Sequence, residues 1–167
     1  YIMNADGSPQ SIVSTDQFLV GTPAIGNLDS DGDLEIVIGG FSNPGRVFAF
    51  NPDGSSVTGF PLEIDEKMKK GAALADVDGD GIDEIFIATE DDNLWRINTD
   101  GSLVTSQILL TADDKFRFAP VISHSADGFI IFCGSMDGFF YGVDPWGEQL
   151  FSANAQDEIT SSAAISP

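Results

Sequence analysis

A phrase of the form Asn-x-Asp-Gly returns through this chain at an almost constant interval, and that interval limits the fold more than any other feature. It stands at Asn4-Ala5-Asp6-Gly7, Asn51-Pro52-Asp53-Gly54 and Asn98-Thr99-Asp100-Gly101, with a degenerate copy at Asp144-Pro145-Trp146-Gly147. The four glycines follow one another at 47, 47 and 46 residues. Each copy follows a short strand-like run: Tyr1-Ile2-Met3, Val47-Phe48-Ala49-Phe50, Leu94-Trp95-Arg96-Ile97 and Phe140-Tyr141-Gly142-Val143. Asp-Gly between such runs is a hairpin signal, because the left-handed turn needs a residue without a Cβ penalty.

Two further phrases share the period. Pro23-Ala24-Ile25, Ala72-Ala73-Leu74 and Pro120-Val121-Ile122 each open a unit, and Ala163-Ala164-Ile165 opens a fourth. A central apolar run recurs as Ile36-Val37-Ile38-Gly39, Ile85-Phe86-Ile87-Ala88 and Ile130-Ile131-Phe132-Cys133. Unbroken runs of this length read as strands buried on both faces. No stretch carries a helical period. The spacing predicts strands near 22–26, 35–39, 46–50 and 56–63, then 71–75, 84–88, 93–97 and 102–110, then 117–123, 129–134, 138–143 and 148–153.

Four-stranded units every 40–50 residues are the signature of propeller blades. The predicted fold class is therefore all-β: a β-propeller fragment of four-stranded antiparallel blades, three complete and partial at both ends. Residues 1–20 read as the outer strands of a preceding blade. Complete blades follow at 21–66, 67–113 and 114–157, and 158–167 reads as the first strand of the next. Propellers close with about 4–8 blades, so the chain reads as part of a larger ring or as one of several chains that complete it. Open strand edges and blade faces then favour homo-oligomers.

Charge narrows the function. The 167 residues hold 27 Asp and Glu against 7 Lys and Arg, a formal net charge of −20. Such a surface repels phosphate, which argues against nucleic acid and anionic membranes as partners. A hard cation is the natural partner of surplus carboxylates. The single cysteine, Cys133, excludes an intrachain disulfide and sits in an apolar run as a buried thiol. No apolar run reaches the roughly 18 residues of a membrane helix, so no membrane insertion is expected.

The carboxylates are not scattered. Two units carry an Asp-rich loop between the first and second strands: Asn27-Leu28-Asp29-Ser30-Asp31-Gly32-Asp33-Leu34-Glu35 and Asp76-Val77-Asp78-Gly79-Asp80-Gly81-Ile82-Asp83-Glu84. Oxygen side chains occupy loop positions 1, 3 and 5, Gly follows at 6, and Glu closes both at 9. Calcium takes about six to eight oxygens, and a chain wrapping it presents alternate residues. The Gly permits the sharp turn, and position 7 (Asp33, Ile82) offers its carbonyl. The predicted metal ligands are Asn27, Asp29, Asp31, Asp33 and Glu35 in one loop, and Asp76, Asp78, Asp80, Ile82 and Glu84 in the other. That implies about two Ca2+ per chain. An EF-hand would place Glu at position 12; here Ile38 and Ile87 stand there, so the loop is a strand–loop–strand site. The competing reading is a pair of acidic Asx-turns without metal. Asp83 reads as solvent-facing. The third unit keeps only His124-Ser125-Ala126-Asp127-Gly128 and is expected to hold no calcium, with His124 a surface turn residue.

These loops and the strands after them, Gly26 to Val37 and Ala75 to Phe86, resemble the FG-GAP/VCBS repeats found in integrin α-subunit propellers and bacterial cell-surface proteins. The resemblance covers residues 20–110. It implies a calcium-binding propeller with ligands at Asn27, Asp29, Asp31 and Glu35 and at Asp76, Asp78, Asp80 and Glu84. Integrin loops usually end in Asp, so Glu at the last position is closer to the bacterial members. Gly134-Ser135-Met136-Asp137-Gly138-Phe139-Phe140-Tyr141 resembles the quinoprotein-like propeller repeat instead.

With one His and one Cys far apart in sequence and no nucleophile motif, a catalytic triad has weak support, and the sequence holds no Gly-rich phosphate loop. The chain is expected to be a calcium-binding β-propeller module rather than an enzyme, with an extracellular, cell-surface or periplasmic structural, adhesion or ligand-recognition role and a protein or glycan ligand. The alternative is the propeller portion of a secreted carbohydrate-active lyase or hydrolase with structural calcium, where Trp95 or Trp146 could stack on sugars.

Overall fold

A computed structural model describes residues 1–100 and 102–165. Gly101 of the third Asn-x-Asp-Gly turn and positions 166–167 of the expected final strand lie outside the described residues. The described chain is all strand and turn. A two-stranded sheet of β1 (Ile2–Met3) and β2 (Pro9–Ser11) comes first. Three four-stranded antiparallel meanders follow. The first holds β3 (Ala24–Gly26), β4 (Glu35–Gly39), β5 (Arg46–Phe50) and β6 (Leu62–Glu63). The second holds β7 (Ala73–Ala75), β8 (Glu84–Ala88), β9 (Asn93–Thr99) and β10 (Val104–Thr111). The third holds β11 (Val121–Ser125), β12 (Gly128–Gly134), β13 (Phe139–Val143) and β14 (Gln149–Asn154). Residues 158–165 pair with no neighbour as a strand.

The apolar cores lie between the sheets, which is why the central strands are hydrophobic on consecutive residues. Along β8 the side chains alternate. Ile85 and Ile87 join Leu28, Val37, Val47 and Ala49 of the first meander in one core. Phe86 and Ala88 join Ile131, Cys133 and Val143 of the third in another. All five β8 residues are buried. The outer meanders are covered by another meander on one side only. Ile36 and Ile38 point to a groove lined by Tyr1, Ile2, Val13 and Leu19. Phe132 stacks on Phe140, with ring centroids 5.9 Å apart, on the far side of β12.

Each sheet is also stitched to the segment before it by the same backbone bond. Phe41 N donates to Phe18 O at 2.7 Å, Glu90 N to Lys67 O at 2.9 Å, and Met136 N to Lys115 O at 3.0 Å. The linkers dock a large apolar side chain beside the stitch: Met68 and Phe116 are fully buried there.

Two expectations need correction. The fourth strand of the first meander shrinks from 56–63 to Leu62–Glu63. Val57 and Phe60 leave the strand path to fill the first core, and Phe60 N closes a turn onto Val57 O at 3.1 Å. The repeat alignment of the third unit slips by one residue. Ile36, Ile85 and Ile131 occupy one ladder position, opposite Phe50, Ile97 and Val143. The counterpart of Ile36 is thus Ile131 and not Ile130. A slip of one residue exchanges the two faces of a strand.

Candidate metal centre

Both Asp-rich loops join the first and second strands of their meanders, so the start of β4 or β8 fixes the closing glutamate. Glu35 opens β4 with none of its surface exposed. Its Oε2 accepts a hydrogen bond from Leu28 N at 2.6 Å, while Oε1 is buried without any partner. Asp29, Asp31 and Glu35 each place a carboxylate oxygen within 4.8 Å of the others. Asp31 N donates to Asp29 Oδ1 at 3.0 Å, and Asp33 N to Asp31 Oδ1 at 2.8 Å. Such Asx-turns curl the chain so that alternate side chains face inward. Gly32 makes the turn at φ +94°, where a side chain would be strained.

The second loop repeats this plan with different closure. Glu84 is 2% exposed, and its Oε2 accepts from Val77 N at 3.1 Å. Asp76, Asp78 and Glu84 converge within 4.8 Å; Asp80 stands outside that set. Both oxygens of Asp76 are engaged, Oδ1 by Gly79 N at 2.7 Å and Oδ2 by Gly81 N at 3.0 Å. Ile82 N donates to Asp80 Oδ1 at 2.8 Å, matching Asp33 in the first loop. Gly81 takes φ +90°, as Gly32 does in the first loop.

Arg96 is the residue that sequence reasoning missed. It lies on β9, 5% exposed, with Nη2 at 3.5 Å from Glu84 Oε1 and 3.6 Å from Asp78 Oδ2. Its Nη1 donates to Pro145 O at 3.2 Å, and its guanidinium lies 5.9 Å from the Trp146 ring centre. No motif marks it. The only signal was a charged residue inside the apolar run Leu94-Trp95-Arg96-Ile97.

Asp83 does not face solvent as the sequence suggested. Its Oδ2 accepts from Asn27 N at 2.9 Å, and its own N donates to Asn27 O at 2.6 Å. Asn27 Nδ2 also donates to Gly81 O at 2.5 Å. The start of the first loop is therefore clamped to the end of the second, and Gly26 has no Cβ that would strike Asp83. With its nitrogen so used, Asn27 keeps a buried amide oxygen, Oδ1, with no partner.

The electrostatics follow. Burial pushes the Glu35 carboxyl above the usual range, against the Leu28 hydrogen bond that lowers it, and repulsion from Asp29, Asp31 and Asp33 adds to the rise. Burial raises Glu84 likewise, opposed by the Val77 hydrogen bond and then by the charge of Arg96. A fully buried carboxylate oxygen and a buried amide oxygen, both without partners, are the acceptor set a hard cation satisfies. The residues fit calcium in the first loop on that ground, and the repeated plan extends the fit to the second.

Elsewhere the chemistry is muted. Ala126 and Asp127 form a tight turn between β11 and β12. His124 lies in β11, not in the turn, with its ring stacked 4.0 Å from that of Phe129. Trp95 Nε1 donates to Glu66 Oε2 at 2.8 Å, so this ring is tied to the preceding linker; the Trp146 ring is exposed.

Residues 27–87, which span both loops, match the FG-GAP-like repeat family. Among solved structures, BBS1N, crystallised in complex with ARL6DN and soaked with lead, aligns at a TM-score of 0.57 and 14% identity. The alignment covers 86% of this chain and 43% of that one. The PilY1 C-terminal domain of Pseudomonas aeruginosa aligns at a TM-score of 0.56 and 19% identity, over 77% of this chain and 38% of that one. The chain thus spans less than half the length of either structure, and the likeness is one of fold. No curated protein matches the chain.

Proposed function

Taking the chain as a run of FG-GAP-type β-propeller blades, we propose that it is a calcium-stiffened recognition or scaffolding module working outside the cell. The observation that carries this reading is Glu35 Oε1, a carboxylate oxygen buried without a partner beside Asp29 and Asp31. Leaving such a charge unmatched would cost several kcal/mol, about what burial of an unpaired ion demands. Asp29, Asp31, Glu35 and the Asn27 amide oxygen would hold the ion, with Asp33 offering its carbonyl. Asp76, Asp78, Asp80, Glu84 and the Ile82 carbonyl would do so in the second loop. When bound, calcium would supply divalent charge that cancels carboxylate repulsion and lets these side chains hold the hairpin shut.

The role is binding rather than catalysis. Burial pushes the Cys133 thiol up to about 12, which leaves no thiolate at neutral pH. The Tyr141 hydroxyl donates to Asp137 at 2.6 Å and is also pushed up, first by burial. A net charge of −20 disfavours nucleic acid, and the ligand proposed is a protein or glycan. The outside location is supported by the modest affinity of extracellular calcium modules, about 10⁻⁴–10⁻³ M, which needs a calcium-rich compartment.

Thermal unfolding in calcium and in excess chelator, with a metal count on the purified protein, tests this. Calcium at about 100 times Kd should add about 2.7 kcal/mol per site, or about 5–10 °C in Tm. Superimposable melts and a protein without bound calcium would remove the reading.

A further inference from the structure

We propose that the two loops are unequal calcium sites, and that Arg96 makes them so by standing in the second loop as a resident cation. The proposal rests on reading both loops as calcium sites. Counting carboxylates predicts the reverse order, since the second loop has Asp76 where the first has Asn27. Geometry overrides the count.

Arg96 approaches two of the three converging acids, at 3.5 Å from Glu84 Oε1 and 3.6 Å from Asp78 Oδ2. An ion held by those oxygens must share them with a fixed positive charge. The guanidinium has no easy retreat: it is buried, and the third meander holds it through Pro145 O and the Trp146 ring. The corresponding residue of the first meander is Ala49. It pairs with Val37 across the strands as Arg96 pairs with Phe86. Among the described residues no cation stands opposite Glu35, and its Oε1 is the oxygen without a partner. The acceptors differ in the same sense. Asp76 already spends both oxygens on Gly79 N and Gly81 N, whereas Asn27 Oδ1 is unengaged. The second loop is thus closed by its own hydrogen bonds and Arg96. The first keeps two buried acceptors, Glu35 Oε1 and Asn27 Oδ1, that no protein group satisfies and that a cation would complete.

Calorimetric titration of the whole chain with calcium decides this. Asp76→Asn with Asp78→Asn leaves only the first loop competent; Asp29→Asn with Asp31→Asn leaves only the second. The first loop is expected to bind at least about tenfold tighter. Adding Arg96→Met to the variant that keeps the second loop should tighten that loop about tenfold. Equal affinities, a tighter second loop, or no gain from Arg96→Met in folded protein overturns the proposal. Should Arg96→Met fail to fold, Arg96→Gln in the same variant replaces it, and no gain in affinity there overturns the proposal. Absence of any binding heat or bound metal in the parent chain removes the calcium reading itself, and this proposal with it. Two bound ions of matched affinity remove only the proposal.

Discussion

Glu35 holds the pH dependence of the ion-free first loop. Its carboxyl titrates above the usual range because burial, and then Asp29, Asp31 and Asp33, disfavour its charge. A carboxyl whose folded pKa is raised binds its proton more tightly folded than unfolded. Its contribution to stability is therefore full below the ordinary carboxylate pKa and is lost as pH rises through the raised value. Asp6, Asp53 and Asp100 act in the opposite sense. The hydroxyls of Ser8, Ser55 and Ser102 are the first cause that lowers them, so their contribution is lost only as pH falls below the usual range. In chelator, Glu35→Gln should melt higher than the parent at neutral pH, and the gap should close at mildly acid pH. In calcium the order should reverse, because the variant cannot complete the shell. Melting curves at two pH values, with and without calcium, check this; a gap unchanged across pH would discard it. The convergence of Asp29, Asp31 and Glu35, and of Asp76, Asp78 and Glu84, was legible in the sequence because one short segment carries each set. Arg96 was not, since its partners Asp78, Glu84 and Pro145 meet it only through strand pairing and packing of the next sheet.

Between elements, the contact that matters most to the candidate sites is the clamp of Asn27 on Gly81 and Asp83. Asp83→Ala would strip the partner from Asn27 N, which lies half-buried between two loops. Leaving that donor unsatisfied should cost about 1–3 kcal/mol. It should also weaken calcium binding at the first loop, although Asp83 belongs to the second, because the clamp aims the Asn27 amide. Chemical denaturation with a calcium titration of the same variant measures both. A loss of stability with unchanged affinity would show that the clamp holds the blades but does not position the ligand. Most strands could be read from periodicity, and the Asn-x-Asp-Gly turns fall between the third and fourth strands as expected. In three of them Asp6, Asp53 and Asp100 accept from the backbone N and the hydroxyl of the Ser two residues on, a partner invisible in the four-residue phrase. The third unit was misaligned by one residue because Ile130, Ile131 and Phe132 are all apolar. A run without polar punctuation carries no register; the pairings of Ile131 with Ile122 and Val143 supply it.

At the scale of the molecule, the two outer sheets show why the isolated chain should self-associate. The middle sheet covers both its faces with neighbours, whereas the first and third cover one each. On the third, Phe132, Phe140 and Phe151 cluster with centroids about 6 Å apart, and the β14 strand beside them is exposed throughout. On the first, the groove beside Ile36 and Ile38 is covered only by the strap of Tyr1, Val13 and Leu19, while Phe18 stays 77% exposed. Faces of this kind are buried in a closed ring, and exposed together they favour association. The opposing force is the net charge of −20, which repels a second copy over distances that salt shortens. Association should therefore grow with protein concentration and also with ionic strength, the reverse of an interface held by ion pairs. Sedimentation velocity across both variables reads it directly. Phe140→Asp, which places a charge in the aromatic cluster without touching either loop, should shift the distribution toward monomer and leave calcium binding unchanged. A single monomeric species at high salt and high concentration would mean that the strap and the terminal linker already satisfy these faces, and that the sheets need no further partner.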